Sequence, residues 1–223
     1  MSAASRTALL AGASGLVGRE ILAGLLADAG VGAVHALARR PLPSSHPRLT
    51  QHVVDFAALA ALPPVDEAYL ALGTTIKVAG SQAAFRAVDF DANLAVARAA
   101  RAAGARRLGL VSAMGASARS SVFYSRVKGE LEAAVRQLGY EGIVIARPSV
   151  LAGDRESLGQ PARSGEKLAL RVSTWLRPLV PADYRAIPAR DVAATLLREV
   201  PRAAGVRVIL SGAMHGGAAS DGR

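Results

Sequence analysis

At 223 residues, half of them apolar and one fifth charged, the chain suits one globular domain with a full core rather than a disordered or fibrous protein. It has no cysteine, which excludes disulfide frameworks and thiolate metal sites, and no apolar run reaches bilayer-spanning length. The formal net charge is +10, yet the arginines are spread over the whole length and adjoin only at Arg39-Arg40 and Arg106-Arg107, without the basic tracts interleaved with aromatics that a nucleic-acid surface needs.

The predicted elements alternate between strand and helix. TALLAG (7–12) is a short apolar strand running into glycines, and LVGREILAGLLADAG (16–30) has helical spacing at Leu16, Val17, Ile21, Leu25 and Leu26. VHALAR (34–39) is a second strand, LTQHVVDF (49–56) a third and EAYLALG (67–73) a fourth. A long alanine-rich helix covers 81–103 and stops at Gly104. RRLGLVSA (106–113) is the fifth strand, FYSRVKGELEAAVRQLG (123–139) a helix and GIVIARP (142–148) the sixth strand. Beyond Pro148 the alternation loosens into a loop, a helix at LALRVSTWL (168–176), a helix at PARDVAATLLREV (188–200) and a last strand at VRVILSG (206–212). Strands alternating with helices of this length predict an α/β fold: a single doubly wound parallel sheet with helices on both faces. The domain is expected over 1–212, with a small C-terminal lid within about 149–200 and a disordered glycine-rich tail over 213–223.

The first strand ends in GASGLVG, and a helix follows at once. Gly12, Gly15 and Gly18 allow a tight turn, close backbone approach to a diphosphate and close helix-to-strand packing. The diphosphate would rest on the free N–H groups at Ser14, Gly15, Leu16, Val17 and Gly18 and on the positive end of the helix. Three glycines among 22 would be a weak signal, but their place at the first strand-to-helix junction is the one a dinucleotide site requires. The second strand ends in ALARRP, with no carboxylate for a ribose 2′-hydroxyl. Arg39 and Arg40 can instead pair with a 2′-phosphate, which favours NADP(H) over NAD(H); an arginine-rich loop in an arginine-rich chain is the plain alternative. Arg19 is a weaker candidate for the same phosphate, and Asp55, at the end of the third strand, is placed to meet the adenine.

Among 27 basic residues only Lys77, Lys128 and Lys167 are lysines, and Lys128 stands four residues after Tyr124 on one helix face. A tyrosine near a nicotinamide can give its phenolic proton to a carbonyl, and a neighbouring ammonium lowers its otherwise high pKa. Lysine's compact head on a flexible stem also reaches a cofactor ribose, which arginine's planar fork does not do as simply. Ser112, at the end of the fifth strand and 12 residues before Tyr124, can hold a substrate carbonyl; it can equally be a strand-end turn residue.

With GASGLVG, LVSAMGA and YSRVKGELE in hand, the chain resembles the short-chain dehydrogenase/reductase superfamily in its atypical branch. It is similar in particular to the small NAD(P)H-binding group of the Tat-interacting oxidoreductase and its bacterial nucleoside-diphosphate-sugar epimerase-like relatives, with ALGTTIKVAG and ARPSVLAGDRES also matching, over roughly residues 7 to 212. The resemblance implies a Rossmann fold. It also implies diphosphate binding by Gly12, Gly15 and Gly18, adenosine-phosphate contacts from Arg39 and Arg40, and a cofactor lining of Gly73, Thr74 and Thr75. Ser112, Tyr124 and Lys128 would form the triad, and Pro148, Ser149 and Val150 would flank the nicotinamide. Two departures stand out. Asp89, with Asn93 one turn later, occupies the place where many relatives carry asparagine, and only about 75 residues follow Pro148, too few for the substrate domain of a sugar-nucleotide epimerase. The expected function is an NADP-dependent oxidoreductase acting on a small carbonyl or alcohol, with an NADP(H)-binding regulatory protein as the alternative. The expected partners are a small-molecule substrate and a second copy of the chain in a homodimer, not nucleic acid or membrane. The expected location is the cytoplasm, because MSAASRTALLAGASG lacks the basic-then-apolar order of a signal peptide.

Overall fold

The computed structural model describes residues 5–152 and 181–215. Its main sheet is built from seven parallel strands: β1 (Arg6–Ala11), β2 (Val31–Ala38), β3 (Leu49–Val53), β4 (Glu67–Leu70), β5 (Arg107–Val111), β6 (Gly142–Arg147) and β9 (Gly205–Leu210). Their order across the sheet is β3-β2-β1-β4-β5-β6-β9. The order reverses between β1 and β4, and ligands of doubly wound sheets bind beyond the carboxyl ends of the strands at such a point. A separate two-stranded ribbon pairs β7 (Leu151–Ala152) with β8 (Ile187–Pro188).

The alternation of side chains along each strand splits the core into two layers. Ala8 and Leu10 of β1 face one side, with Val144 and Ala146 of β6; Leu9 and Ala11 face the other, with Leu108 and Leu110 of β5. Helix α1 (Leu16–Ala27) covers the first layer through Ile21, Leu22 and Leu25. Helix α4 (Asn93–Ala102) covers the second through Leu94, Val96, Ala97 and Ala100, together with Leu131 and Val135 of α5 (Phe123–Arg136). With both faces covered, strands such as GIVIAR read as continuous apolar runs.

The helix expected at 81–103 is interrupted. After the short α2 (Ile76–Ala79), α3 (Gln82–Arg86) passes into a π-helical turn at Ala87–Ala92 before α4 begins. Phe85, Asp89, Asn93 and Ala97 are all fully buried at intervals of four. Intervals of four drift about 40° per step around an α-helix, and a π turn absorbs that drift and keeps all four on one face.

The C-terminal part also differs from expectation. Helix α6 (Ala189–Glu199) packs in the core and not in a lid: a Cβ at Gly24 of α1 would lie 2.3 Å from Leu197, so the two helices meet closely there. The strand expected to run to Gly212 ends at Leu210, and Ser211–Met214 forms a single helical turn, α7. Met214 is fully buried, so an apolar anchor ties down the start of the segment expected to be disordered. The expected helix at 168–176, residues 153–180 of the expected lid, and the tail from 216 lie outside the described residues.

Candidate functional site

The glycine loop has the geometry that the sequence spacing requires, and each glycine is needed for a different reason. Gly12 has φ +95°, and a Cβ there would lie 2.4 Å from the Ala71 carbonyl beyond β4, so the loops after β1 and β4 abut at the switch point. At Gly18 a Cβ would sit 2.0 Å from the Gly12 oxygen, which fixes the approach of α1 to β1. Gly15 is different, because its Cβ would be 3.4 Å from the nearest protein atom, an ordinary contact. The fold alone does not demand glycine at 15. Gly15 is the N-cap of α1 and gives no side-chain cap, so the first N–H groups of the helix are left for an anion. Ser14 is exposed beside them, whereas the Leu16 and Val17 side chains are buried and offer only backbone. These residues fit a dinucleotide diphosphate.

Arg39 and Arg40 follow the end of β2 directly; both are exposed and neither has an ion-pair partner among the described residues. Asp55 is also exposed, but its Oδ1 accepts the Ala57 N–H at 2.9 Å, so one oxygen is spent on its own turn.

The loop after β4, which holds Gly73, Thr74 and Thr75, meets Asp89 and Lys128. The Lys128 Nζ lies 2.7 Å from Asp89 Oδ1, and both side chains are nearly fully buried, 6% and 1% exposed. The other Asp89 oxygen accepts the Thr74 N–H at 2.8 Å. A Cβ at Gly73 would stand 3.5 Å from Asp89 Oδ1 and 3.9 Å from the ammonium, so Lys128 reaches the backbone of this loop. Thr75 acts locally, its hydroxyl capping α2 by accepting the Val78 N–H at 3.1 Å. Asn93 donates to the carbonyls of Leu72, Val88 and Asp89 at 3.1–3.3 Å, which ties the same loop to the π turn. The Asn93 Oδ1 is buried without a hydrogen bond, and Asp89 Oδ1 meets Lys128 as an ion pair and not as a well-directed hydrogen bond.

Tyr124, in the first turn of α5, is half-buried, with its ring against Phe85 at 5.5 Å between centroids. Phe85 also meets Phe123 edge to face, so two aromatic contacts fix the start of α5. Among the described residues the Tyr124 hydroxyl makes no hydrogen bond. Close packing at Gly129 holds the helix against the loop before it: a Cβ there would be 2.2 Å from the Ser117 and Ala118 backbone.

Ser112 does not stand as expected. Its N–H continues the ladder to the Ala146 oxygen at 2.8 Å, so its side chain follows Leu108 and Leu110 onto the face covered by α5. There its hydroxyl donates to Glu132 Oε1 at 2.6 Å, and the residue is 5% exposed. Arg147 clamps the same carboxylate with two hydrogen bonds of 2.9 and 2.7 Å, which raises the Arg147 pKa further above its ordinary value. A hydroxyl has one hydrogen, and in this arrangement it serves Glu132 and not a substrate carbonyl. Beyond β6, Pro148 is buried, Val150 is exposed, and Ser149 donates to the Arg185 carbonyl and lies 3.1 Å from Ser211 Oγ.

Two functional contacts were missed in the sequence: the Asp89 grip on Lys128 and the Glu132–Arg147 clamp on Ser112. Both had a signal. Lys128 and Glu132 are one turn apart on the buried face of α5, where two charged residues in succession need partners.

Known proteins are similar at two levels. No family model matches the chain. "Protein fmp52, mitochondrial" of Emericella nidulans is 39% identical over 165 residues, 70% of each chain, and protein HTATIP2 of Rattus norvegicus is 33% identical over 203 residues, 88% of this chain and 81% of that one. Among solved structures, MoeE5 in complex with UDP-glucose and NAD has a TM-score of 0.66 at 17% identity, covering 92% of this chain and 76% of its own. A short chain dehydrogenase family protein from Francisella tularensis has a TM-score of 0.64 at 13% identity, covering 94% and 99%. These structural likenesses establish the doubly wound fold. The fmp52 relatives from several fungi are named as mitochondrial, which overturns the cytoplasmic expectation; the lack of a signal-peptide pattern had excluded one destination only. On these relatives the chain belongs to the atypical short-chain dehydrogenase/reductases, in the NAD(P)-binding, Tat-interacting-oxidoreductase-like group.

Proposed function

We propose that the chain is an NADP-dependent oxidoreductase that interconverts a small carbonyl compound and its alcohol. The observation that carries this reading is Tyr124, whose hydroxyl has no partner among the described residues, one helical turn from a buried lysine, at the carboxyl edge of the sheet where the glycine loop opens. The nicotinamide cofactor supplies or accepts the hydride. The Gly12–Gly18 loop holds its diphosphate, and Arg39 and Arg40, without ion pairs among the described residues, pair with a 2′-phosphate. Lys128 keeps N–H donors beyond the one facing Asp89 and anchors the ribose. Tyr124 gives its phenolic proton to the carbonyl oxygen during reduction and takes it back during oxidation. Ser112, tied to Glu132, positions α5 against β5 in this scheme.

Purified protein given NADPH with a panel of aldehydes, ketones and quinones is expected to consume the cofactor, and NADH less readily. Tyr124→Phe should lower turnover by about 100-fold or more while leaving the melting temperature in place. No turnover in the parent, or a phenylalanine variant as fast as the parent, overturns the proposal. The engagement of the Ser112 hydroxyl favours one second reading, a cofactor-binding regulatory protein without catalysis. That reading predicts tight NADPH binding by calorimetry with no turnover.

A further inference from the structure

We infer that the carbonyl compound carries an apolar body, and that Ile76, Val78 and Val122 at the carboxyl edge of the sheet select for it. The inference rests on the proposed oxidoreductase reading and names the substrate class of that same site. Among the described residues, the large apolar side chains left exposed outside the strands are Ile76, Val78, Val122, Val150 and Tyr184. All of them belong to one edge. Ile76 and Val78 lie on α2 in the connection after β4, and Val122 ends the connection after β5. Val150 follows β6, and the bond from the Ser149 hydroxyl to the Arg185 carbonyl brings Tyr184 to the same edge. The turns at the opposite edge expose no large apolar side chain among the described residues and carry ion pairs instead, Arg6 with Asp28 and Arg106 with Glu141. Single exposed apolar residues are ordinary, but their segregation to the edge that holds the glycine loop marks a binding surface.

Hydrogen bonds and ring contacts tie these connections together around the start of α5. The Met114 N–H donates to the Pro148 carbonyl at 2.9 Å, and the Ser117 N–H to the carbonyl of Ser125, next to Tyr124, at 3.0 Å. From the other side α2 leads into α3, whose Phe85 ring lies 5.5 Å from that of Tyr124. On the same connections Thr75, Ser81 and Ser120 each accept an N–H of their own turn. A sugar ring needs polar groups converging on its hydroxyls, whereas an aliphatic chain needs only apolar surface to leave water with it. Lys77 and Arg119 are exposed on these connections, and the diphosphate of a nucleotide sugar would fall to them. Apolar surface concentrated beside Tyr124 favours the aliphatic substrate.

The test reads binding and does not depend on turnover. Protein with excess NADP+ is titrated calorimetrically with straight-chain primary alcohols from butanol to octanol, and separately with UDP-glucose. Affinity is expected to rise about threefold to fourfold with each added methylene, as burial of one such group would give. The Ile76→Ser/Val78→Ser/Val122→Ser variant changes exposed positions, so it should keep the parent's melting temperature and bind octanol about tenfold more weakly. Affinity that does not depend on chain length, octanol binding by the variant as tight as by the parent, or UDP-glucose binding tighter than octanol overturns the proposal. The matching aldehydes are then given with NADPH. Chain-length-dependent binding without consumption of NADPH keeps the apolar ligand and discards the oxidoreductase; consumption with a flat series does the reverse.

Discussion

The two ends of the sheet each bury a carboxylate against a cation, and they do it differently. At the amino-terminal edge, Glu67 of β4 takes two hydrogen bonds from Arg6 of β1, at 2.7 and 2.8 Å, and a third from the Tyr69 hydroxyl at 3.1 Å. Arg6 reaches on to Asp28 at the end of α1, and no side chain of this cluster is left unpaired. Burial pushes the Glu67 pKa up, against the opposing pull of Arg6, and pushes Tyr69 far above its ordinary value. At the carboxyl edge, Asp89 and Lys128 are as deeply buried, yet Asp89 Oδ1 and Asn93 Oδ1 lack hydrogen bonds and the Tyr124 hydroxyl has no partner among the described residues. Buried polar groups are normally satisfied, so spare capacity in a close-packed interior marks a place built for something besides folding. The lower cluster is closed around itself; the upper one keeps hydrogen-bonding capacity unspent.

This contrast can be broken by removing an acid from the closed end. Glu67→Ala is expected to destabilise the protein by about 3 kcal/mol, the lower end for half of a buried pair because Arg6 keeps Asp28. Cofactor affinity should not change. Denaturant unfolding with calorimetric titration checks both, and a loss of cofactor binding without a loss of stability would erase the distinction between the ends. The open end is probed by Gly15→Ala. A Cβ at Gly15 meets only an ordinary protein contact, so the melting temperature should hold while NADPH affinity falls about tenfold, roughly 1.4 kcal/mol. Equal affinity would mean that no ligand approaches Gly15.

The smallest effect belongs to a third buried group. Tyr140, just before β6, donates to the Ala97 carbonyl at 2.6 Å, and burial raises its pKa well above the usual value. Between the ordinary tyrosine pKa near 10 and the raised one, the folded state holds a proton that the unfolded state has lost, so stability falls as pH rises through that window. Tyr140→Phe should cost about 1 kcal/mol at neutral pH and flatten the alkaline decline, as thermal melts from about pH 8 to 11 would show. An unchanged slope would place the alkaline sensitivity in Tyr69 alone.

Much of this was legible beforehand. Apolar runs at 8–11, 68–70 and 143–146 have the composition of strands buried on both faces, and the glycine spacing located the switch-point loop. The Tyr124–Lys128 pairing depends on helix geometry alone, which sequence spacing states directly. The distance of Ser112 from Tyr124 says nothing of its phase: Leu108, Leu110 and Ser112 alternate on one face, and that face meets α5 and Glu132. Asp89 stands out in the sequence as an odd residue, but its partner Lys128 lies on another helix some 39 positions away, and nothing local to residue 89 names it.

A π turn is a helix carrying more residues than an α-helix would use for the same span. Asp89 reaches Lys128 only while that surplus is present between Ala87 and Ala92. A single deletion there would leave every functional side chain chemically intact and still turn the carboxylate by about 100° away from α5. The grip of Asp89 on the lysine is therefore set by an arithmetic of residues along one helix, a property that no substitution scan of the site would reveal.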